Sequence, residues 1–380
     1  MMNTADPSSD RSGTDLALFM PSLGGGGAER AMLELGSALQ QLGYRVDIVV
    51  GDARGPLVSA VSGSLRLVDL HRRRISSSAW ALLRYLRHRR PAVLLSTLEH
   101  ANVLALIIAP FARPTRIAIR EATTASLNID RSVRGRVLLA AMRRLYPRAT
   151  RVIAVSNGVA DELRTLIRVP DSLVRVIPNP SITKQLLDRA SSKPDHPWFQ
   201  DSDTPVILAA GRLVHAKGFD TLICAFAKLR QQLPCRLVIV GEGPLRSELE
   251  GLARHLAVKA FVDLPGFVPD PWPLMAHADA FVLPSRFEGL PNALIQALAL
   301  GAPVVATDCR SGPREILDGG RFGRLVPVDD HEALADAIHA TLLAGATPVP
   351  STWVDQYRSD RVAAQYAEAL GLPTRRGPDV

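Results

Sequence analysis

Short apolar runs rich in Val, Ile and Leu alternate along this chain with longer segments whose apolar residues recur every three to four positions. In the first half the runs are DLALFMPSL, YRVDIVV, AVLLST, TRIAIRE, TRVIAVS and LVRVIPNP. Runs this short and this continuously apolar fit strands buried on both faces, and the helix-length segments between them fit crossovers joining parallel strands. A polar stretch from Ser181 to Thr204, containing SSKPDHPW and DSD, then breaks the pattern and reads as a linker extended by a short helix. A second series follows: PVILAAGRL, LVIVGEGP, FVDLPGFV, AFVLPS, APVVATD and FGRLVPV, separated by segments such as DTLICAFAKLRQQL and NALIQALALG. The predicted architecture is α/β, with one doubly wound domain at 1–180, a linker at 181–204 and a second doubly wound domain at 205–355. A last helical segment, about 356–372, follows the completed second sheet and is free to pack back on the first domain. The length of 380 residues suits two domains of ordinary size.

Chemistry gathers where these strands end. The first run leads into Gly24, Gly25, Gly26 and Gly27 before a helix begins at AERAML, and backbone N–H groups at such a helix start can hold an anion. This is not the spaced dinucleotide fingerprint, and a tight turn alone also explains it. In the second half AAGRLVHAKGFDTL places Arg212 and Lys217 just beyond a strand, flanked by Gly211 and Gly218, where two cations suit a diphosphate. In VGEGPLRSELE, Gly241 and Gly243 end a strand, as a tight turn or a ligand contact. The segment PSRFEGLPNALIQALALGAPVVATD delivers Glu288 into a Gly-Leu-Pro turn, starts a helix near Asn292 and puts Gln296 one turn inside it. SGPREIL supplies a further polar helix start, so helix N-termini near Asn292 and Gly312 are expected to converge on one anionic ligand.

These ordered motifs, from about Val206 to Leu317, with GGGGAER and VIPNP in the first half, resemble the retaining glycosyltransferases of the GT-B fold, family four in the common classification. The resemblance implies two Rossmann-like domains facing across a cleft and a nucleoside-diphosphate sugar, UDP-linked by expectation, as donor. It implies that Arg212 and Lys217 hold the diphosphate, that Glu288 contacts the donor sugar, and that position 296 contacts the ribose. It extends the donor site to Gly26, Gly27, Gly211, Gly241, Gly243, Phe267, Val268, Gly289, Leu290, Pro291 and Asn292. Two positions depart from the pattern. The second carboxylate of the Glu-x7-Glu motif is Gln296, whose amide offers one acceptor where a carboxylate offers two. A histidine common after the strand RIAIRE is replaced by Arg120 and Glu121. Glu121 is a candidate for contact with sugar or acceptor hydroxyl, Arg120 and His100 are candidates for the acceptor side, and an ordinary surface ion pair remains open for the first two. A sugar-nucleotide 2-epimerase-like isomerase and a non-catalytic partner subunit share the fold and stay open as alternatives.

Charge and composition refine this picture. Residues 1–180 hold 25 Arg and Lys against 14 Asp and Glu, a balance of +11, whereas residues 181–380 hold 20 against 23. The basic half is expected to meet something anionic: a membrane face or a lipid-linked pyrophosphate before nucleic acid, since no aromatic platform or recognition helix accompanies the charge. The segment HRRRISSSAWALLRYLRHRR, His71 to Arg90, reads as a basic amphipathic helix capped by Ser76 to Ser78. Its stripe of Trp80, Leu82, Leu83, Tyr85 and Leu86 serves either membrane docking or packing on the first sheet. Three cysteines without paired spacing, no signal-like start and no apolar run long enough to span a bilayer lead to the expectation of a cytoplasmic protein, peripheral at the membrane. The one Asp-x-Asp, Asp201 and Asp203, falls in the linker, so no metal and no cofactor beyond the co-substrate is expected.

Overall fold

The computed structural model describes residues 13–61, 65–124, 132–200 and 203–375. Asp201 of the Asp-x-Asp pair lies outside the described residues.

The first sheet comprises β1 (Leu16–Ser22), β2 (Val46–Asp52), β3 (Arg66–Asp69), β4 (Val93–Thr97), β5 (Arg116–Glu121), β6 (Arg151–Ala154) and β7 (Val174–Val176), all parallel, in the order β3-β2-β1-β4-β5-β6-β7. Six of these are the runs read from the sequence. β3 is not, because it is a four-residue edge strand with every residue half-buried, so it shows no continuous apolar run. Helix α1 (Gly27–Gln41) covers one face, and α2 (Ala79–Arg89), α3 (Glu99–Ile108), α4 (Val133–Leu145) and α5 (Asn157–Glu162) cover the other. The chain leaves through α6 (Lys184–Ala190).

The second sheet contains β8 (Val206–Ala210), β9 (Arg236–Val240), β10 (Val262–Gly266), β11 (Ala280–Leu283), β12 (Val304–Thr307) and β13 (Arg324–Val326), parallel in the order β10-β9-β8-β11-β12-β13. Its connections hold α7 (Phe219–Leu229), α8 (Arg246–His255), α9 (Trp272–Ala276), α10 (Asn292–Ala299) and α11 (Pro313–Ile316); α12 (His331–Ala344) follows β13. After α13 (Ser351–Val354), α14 (Ser359–Ala369) returns to the first domain and packs beside α1, its Val362, Ala363, Tyr366 and Ala367 joining the core of Met32, Leu35 and Leu39. Arg116 and Arg151 donate to the Gly371 and Ala369 carbonyls at the end of α14 (3.1 and 3.2 Å), where cations oppose the negative end of the helix dipole.

The apolar stripe of α2 is a packing face: Leu82, Leu83, Tyr85 and Leu86 are buried in the first core, and only Trp80 stands free at 71% exposure. Arg89 is also withdrawn, lying against buried Asp47 at 3.6 Å. Nor do the serines cap this helix. Ser77 and Ser78 Oγ donate back to the Arg74 carbonyl (2.7 and 3.4 Å).

Glu121 ends β5 inside the protein at 1% exposure, not on the cleft surface, which corrects its assignment as a contact for sugar or acceptor. Its Oε1 accepts from Tyr146 OH (2.6 Å) and Asn102 Nδ2 (2.7 Å). Burial, reinforced by the nearby Glu99 carboxylate, pushes the Glu121 carboxyl up to about 8. The folded protein therefore keeps a proton that the unfolded chain releases above about 4.5, and stability that is complete below that value is lost as pH rises toward 8. We expect this one group to lower unfolding free energy by roughly 1.4 kcal/mol per pH unit across that window. Chemical denaturation from pH 5 to pH 8 should show the decline in the wild type and a shallower one in Glu121→Gln; parallel slopes would contradict it.

Candidate active site

Both sheets reverse their winding direction once, between β1 and β4 in the first and between β8 and β11 in the second. At such a point the loops leaving the two central strands diverge and open a crevice at the strands' carboxyl ends. In the second domain those two loops carry the residues with the strongest chemical signal.

The loop after β8 turns through His215–Lys217 into Gly218, whose φ of 62° places it in the left-handed region. A Cβ there would fall 2.1 Å from the Pro284 carbonyl oxygen, so only glycine lets this loop lie against the one leaving β11. The two backbones are stitched together by Arg286 N–H donating to the Ala216 carbonyl (2.8 Å). The Arg286 guanidinium, only 10% exposed, braces the junction by donating to Asp220 (2.7 and 2.9 Å), Asp329 (2.6 Å) and the His215 carbonyl (2.9 Å).

This scaffold brings Lys217 and Glu288 together. Glu288 Oε1 accepts from Lys217 Nζ at 2.5 Å and from Ser285 Oγ at 2.7 Å. Thr307, at the end of β12, fixes the turn from behind by donating to the Ser285 carbonyl (2.5 Å). The side chains of Lys217 and Glu288 are 25% and 9% exposed, so the ion pair sits at the cleft wall with the ammonium on its wetter side. Burial and the Glu288 charge push the neighbouring Cys309 thiol up to about 12, which leaves it an inert thiol. Arg212 is exposed, and its side chain makes no hydrogen bond or ion pair among the described residues.

The other glycines divide by what they touch. A Cβ on Gly241 would lie 1.9 Å from the Gly211 carbonyl oxygen, and one on Gly243 would lie 2.4 Å from that of Leu213, so close packing of the loop after β9 on the loop after β8 explains both. Gly211 itself has only ordinary contacts, with Phe219 and the Lys217 stem. Gly289 is pressed against the first domain, where a Cβ would meet the Ala122 carbonyl oxygen at 2.0 Å. Beyond it, Leu290 and Pro291 are buried and Asn292 opens α10. Asn292 Nδ2 donates to the Gly27 carbonyl (3.4 Å), so the starts of α10 and α1, with Gly26 and Gly27, meet across the cleft. Gln296 uses its Nε2 to donate to the Ser181 carbonyl (3.3 Å), leaving Oε1 without a partner among the described residues. Phe267 is half exposed, and Val268 packs partly into the core, in a loop held against α1 by Arg30 donating to the Pro269 carbonyl (3.2 Å).

Two sequence candidates, Arg120 and His100, do not reach this cluster. Arg120 is 1% exposed and donates to Thr97 Oγ1 (3.0 Å) and Asn179 Oδ1 (2.5 Å); buried among protein partners, it does not face an acceptor phosphate. His100 stands exposed in the first turn of α3, with no hydrogen bond to the cluster. The SGPREIL segment does lie against the cluster and also reaches the first domain: Ser311 Oγ donates to the Gly289 carbonyl (2.9 Å) and a Cβ on Gly312 would fall 2.5 Å from Pro291, while Glu315 accepts from the Asn157 and Gly158 backbone N–H groups (2.9 and 3.0 Å) and Ser311 Oγ lies 2.8 Å from Ser156 Oγ. Its polar groups join the domains. Sequence reasoning missed Ser285 and Arg286, although both lie in the segment it singled out, because their roles depend on which backbone turns pack together. No group of three or more His, Cys, Asp or Glu among the described residues is placed to hold a metal ion.

Comparison with known proteins gives the same assignment to both halves. Residues 25–184 match the sequence model described as Glycosyltransferase Family 4, and residues 204–343 match that described as Glycosyl transferases group 1. The lipopolysaccharide core biosynthesis glycosyltransferase LpsE of Rhizobium meliloti is 30% identical over 82% of this chain and 84% of its own. The N-acetylgalactosamine-N,N'-diacetylbacillosaminyl-diphospho-undecaprenol 4-alpha-N-acetylgalactosaminyltransferase of Campylobacter jejuni is 29% identical over 86% of this chain and 90% of its own. Among solved structures, HepE of Anabaena in complex with UDP and glucose superposes with a TM-score of 0.72 at 19% identity, covering 93% of this chain and 95% of that one, which shows the shared fold. The chain therefore belongs to the family 4 (group 1) glycosyltransferases and has the two-domain GT-B fold of that family.

Proposed function

We propose that the protein transfers a hexose or N-acetylhexosamine from a UDP-linked donor to a lipid-linked or surface-glycan acceptor, with retention at the anomeric carbon and without a metal or other cofactor. The observation that carries this reading is the Lys217–Glu288 pair at the β8/β11 reversal, beside the facing starts of α1 and α10. The ammonium is held by a partner it can exchange. A donor diphosphate takes over Lys217, joined by Arg212 from the same loop and by backbone N–H groups at the start of α10. Glu288, still anchored by Ser285, then accepts from sugar hydroxyls. As the bond from the anomeric carbon to the β-phosphate oxygen breaks, negative charge grows on that oxygen, and these groups stabilise it more than they stabilise the ground state. The acceptor oxygen bonds to the same face of the anomeric carbon while its proton passes to the departing phosphate oxygen. Atoms and charge balance without a protein nucleophile.

The names of the relatives support the acceptor class: one is a transferase whose named acceptor is an undecaprenol diphosphate carrying sugars, another acts in lipopolysaccharide core biosynthesis. The HepE complex, which holds UDP and glucose, supports the donor class. An epimerase would need carboxylates on both sides of the sugar, and burial of Glu121 withdraws the first-domain candidate.

We also place the first domain on an anionic membrane. No helix among the described residues is long and apolar enough to cross one. With the α2 stripe committed to the core, contact falls to exposed Trp80, to Arg72, Arg73 and Arg74 ahead of α2, to Ile107 on α3 and Phe111 in the turn after it, and to Val133 and Val137 on α4. Apolar side chains among arginines suit the boundary between headgroups and acyl chains.

Incubation with a panel of UDP-sugars and a lipid-linked oligosaccharide pool, read by mass spectrometry, should show one hexose or N-acetylhexosamine added; transfer from no UDP-sugar would overturn the donor assignment. Lys217→Ala and Arg212→Ala should each lower kcat/KM by about tenfold or more, and unchanged turnover in both would remove the diphosphate site from this loop. Gln296→Glu exchanges the donor facing the Ser181 carbonyl for a carboxylate and supplies a charged ribose acceptor. Calorimetry should record tighter UDP binding together with a lower Tm; weaker binding would show that the amide is matched to its ligand. In liposome co-sedimentation, Trp80→Ser combined with Gln at Arg72, Arg73 and Arg74 should release the protein from anionic vesicles, as should high salt, whereas equal sedimentation on neutral and anionic vesicles would refute electrostatic docking.

A further inference from the structure

Arg120 is a buried cation that forms no ion pair within 4 Å among the described residues; one hydrogen bond holds it to Thr97 of β4, and the other begins a chain that leads out of the first domain. Arg120 Nη2 donates to Asn179 Oδ1 (2.5 Å); Asn179 Nδ2 donates to Asn292 Oδ1 (2.7 Å); Asn292 Nδ2 donates to the Gly27 carbonyl (3.4 Å). The direction of this chain is forced. A guanidinium can only donate, so Asn179 must turn its oxygen to Arg120 and its N–H group to Asn292, which in turn must point its own N–H group to Gly27. Ser181 Oγ adds a second donor to Asn292 Oδ1 (3.1 Å), and Asn179 Nδ2 also reaches the Leu290 carbonyl (3.4 Å). The relay thus ties strand β5, the interdomain crossing, the start of α10 and the glycine-rich start of α1 into one arrangement, with Asn179 itself 4% exposed.

We propose that Arg120 and Asn179 are positioning residues for the transfer reaction: acting through Asn292, they set the N-terminus of α1 in register with the N-terminus of α10. The inference rests on the reading that these two helix starts face the donor. The Asn292 side chain has both oxygen lone pairs and one N–H committed to protein groups, so it acts on the ligand by placing backbone amides. Displacing one such helix start by a fraction of an ångström spoils alignment while leaving most ligand contacts in place.

Two nearly isosteric variants cut the relay at different links. Asn292→Asp keeps acceptors for Asn179 and Ser181 but has no N–H group for the Gly27 carbonyl. Asn179→Asp keeps its acceptor for Arg120 but cannot donate to Asn292. With the UDP-sugar turned over fastest in the panel above, each should lower kcat by about tenfold while UDP affinity by calorimetry stays within about threefold. The double variant should be no slower than the worse single one, because both changes break the same chain. Multiplying losses, an unchanged kcat, or UDP affinity falling in step with kcat would each overturn the relay. If the wild type turns over no UDP-sugar, the donor reading fails and the relay is read without turnover: hydrogen exchange of the ligand-free protein should show the backbone amides at the starts of α1 and α10 exchanging faster in both variants than in wild type, and unchanged exchange there would sink it.

Discussion

Parallel strands must be joined by crossovers, and a sheet wound outward in both directions from its centre leaves the loops at the reversal point diverging toward opposite faces. This chain meets that constraint twice, at β1/β4 and at β8/β11, and its two reversal points are brought together. The location of the site follows from topology before any side chain is considered. Lys217 and Glu288 are far apart in sequence but leave adjacent strands, which is why they meet at 2.5 Å.

Topology supplies proximity, and glycine supplies contact. Gly218 against Pro284 and Gly289 against Ala122 let backbone touch backbone, the first within the second domain and the second between domains. Around them the charges are paired rather than left to solvent: Arg286 between Asp220 and Asp329, Lys217 on Glu288, Glu315 on the first amides of α5. Removing one member of such a partly buried pair leaves the other uncompensated, so these contacts hold the loops in one arrangement even where their net stabilisation is small. Lys217 is the exception in kind. It is the wetter member of its pair and can exchange a carboxylate for a phosphate at little cost in hydration.

The fold was legible in the sequence because strands buried on both faces must be continuously apolar, as β4, β11 and β12 are, and the regular alternation they set with helical segments also located the partly exposed edge strands β7, β10 and β13. β3 escaped because an edge strand half-open to water needs no such run. The meeting of Lys217 and Glu288 was legible too, since glycine, cation and carboxylate recur at the ends of the strands that flank the reversal point. What did not show was direction. Arg120 and Glu121 stand at the carboxyl end of a strand as ligand-binding residues do, yet both turn inward, the one to Asn179 and the other to Tyr146 and Asn102. The α2 segment was basic and amphipathic for two different purposes, and only packing shows that its leucines serve the core while Trp80 and the preceding arginines stay outside. Gly241 and Gly243 likewise look the same whether a glycine approaches a ligand or a neighbouring carbonyl.

The central claim is that Lys217 leaves Glu288 for a donor diphosphate held between the two reversal points. A crystal structure of the protein with UDP tests it most directly. The account predicts phosphate oxygens within hydrogen-bond reach of Lys217 Nζ and of the first backbone amides of α10, with the Lys217–Glu288 contact lengthened beyond 2.5 Å and Ser285 still on Glu288. UDP bound away from this loop, or bound with the Lys217–Glu288 pair unbroken, would contradict it.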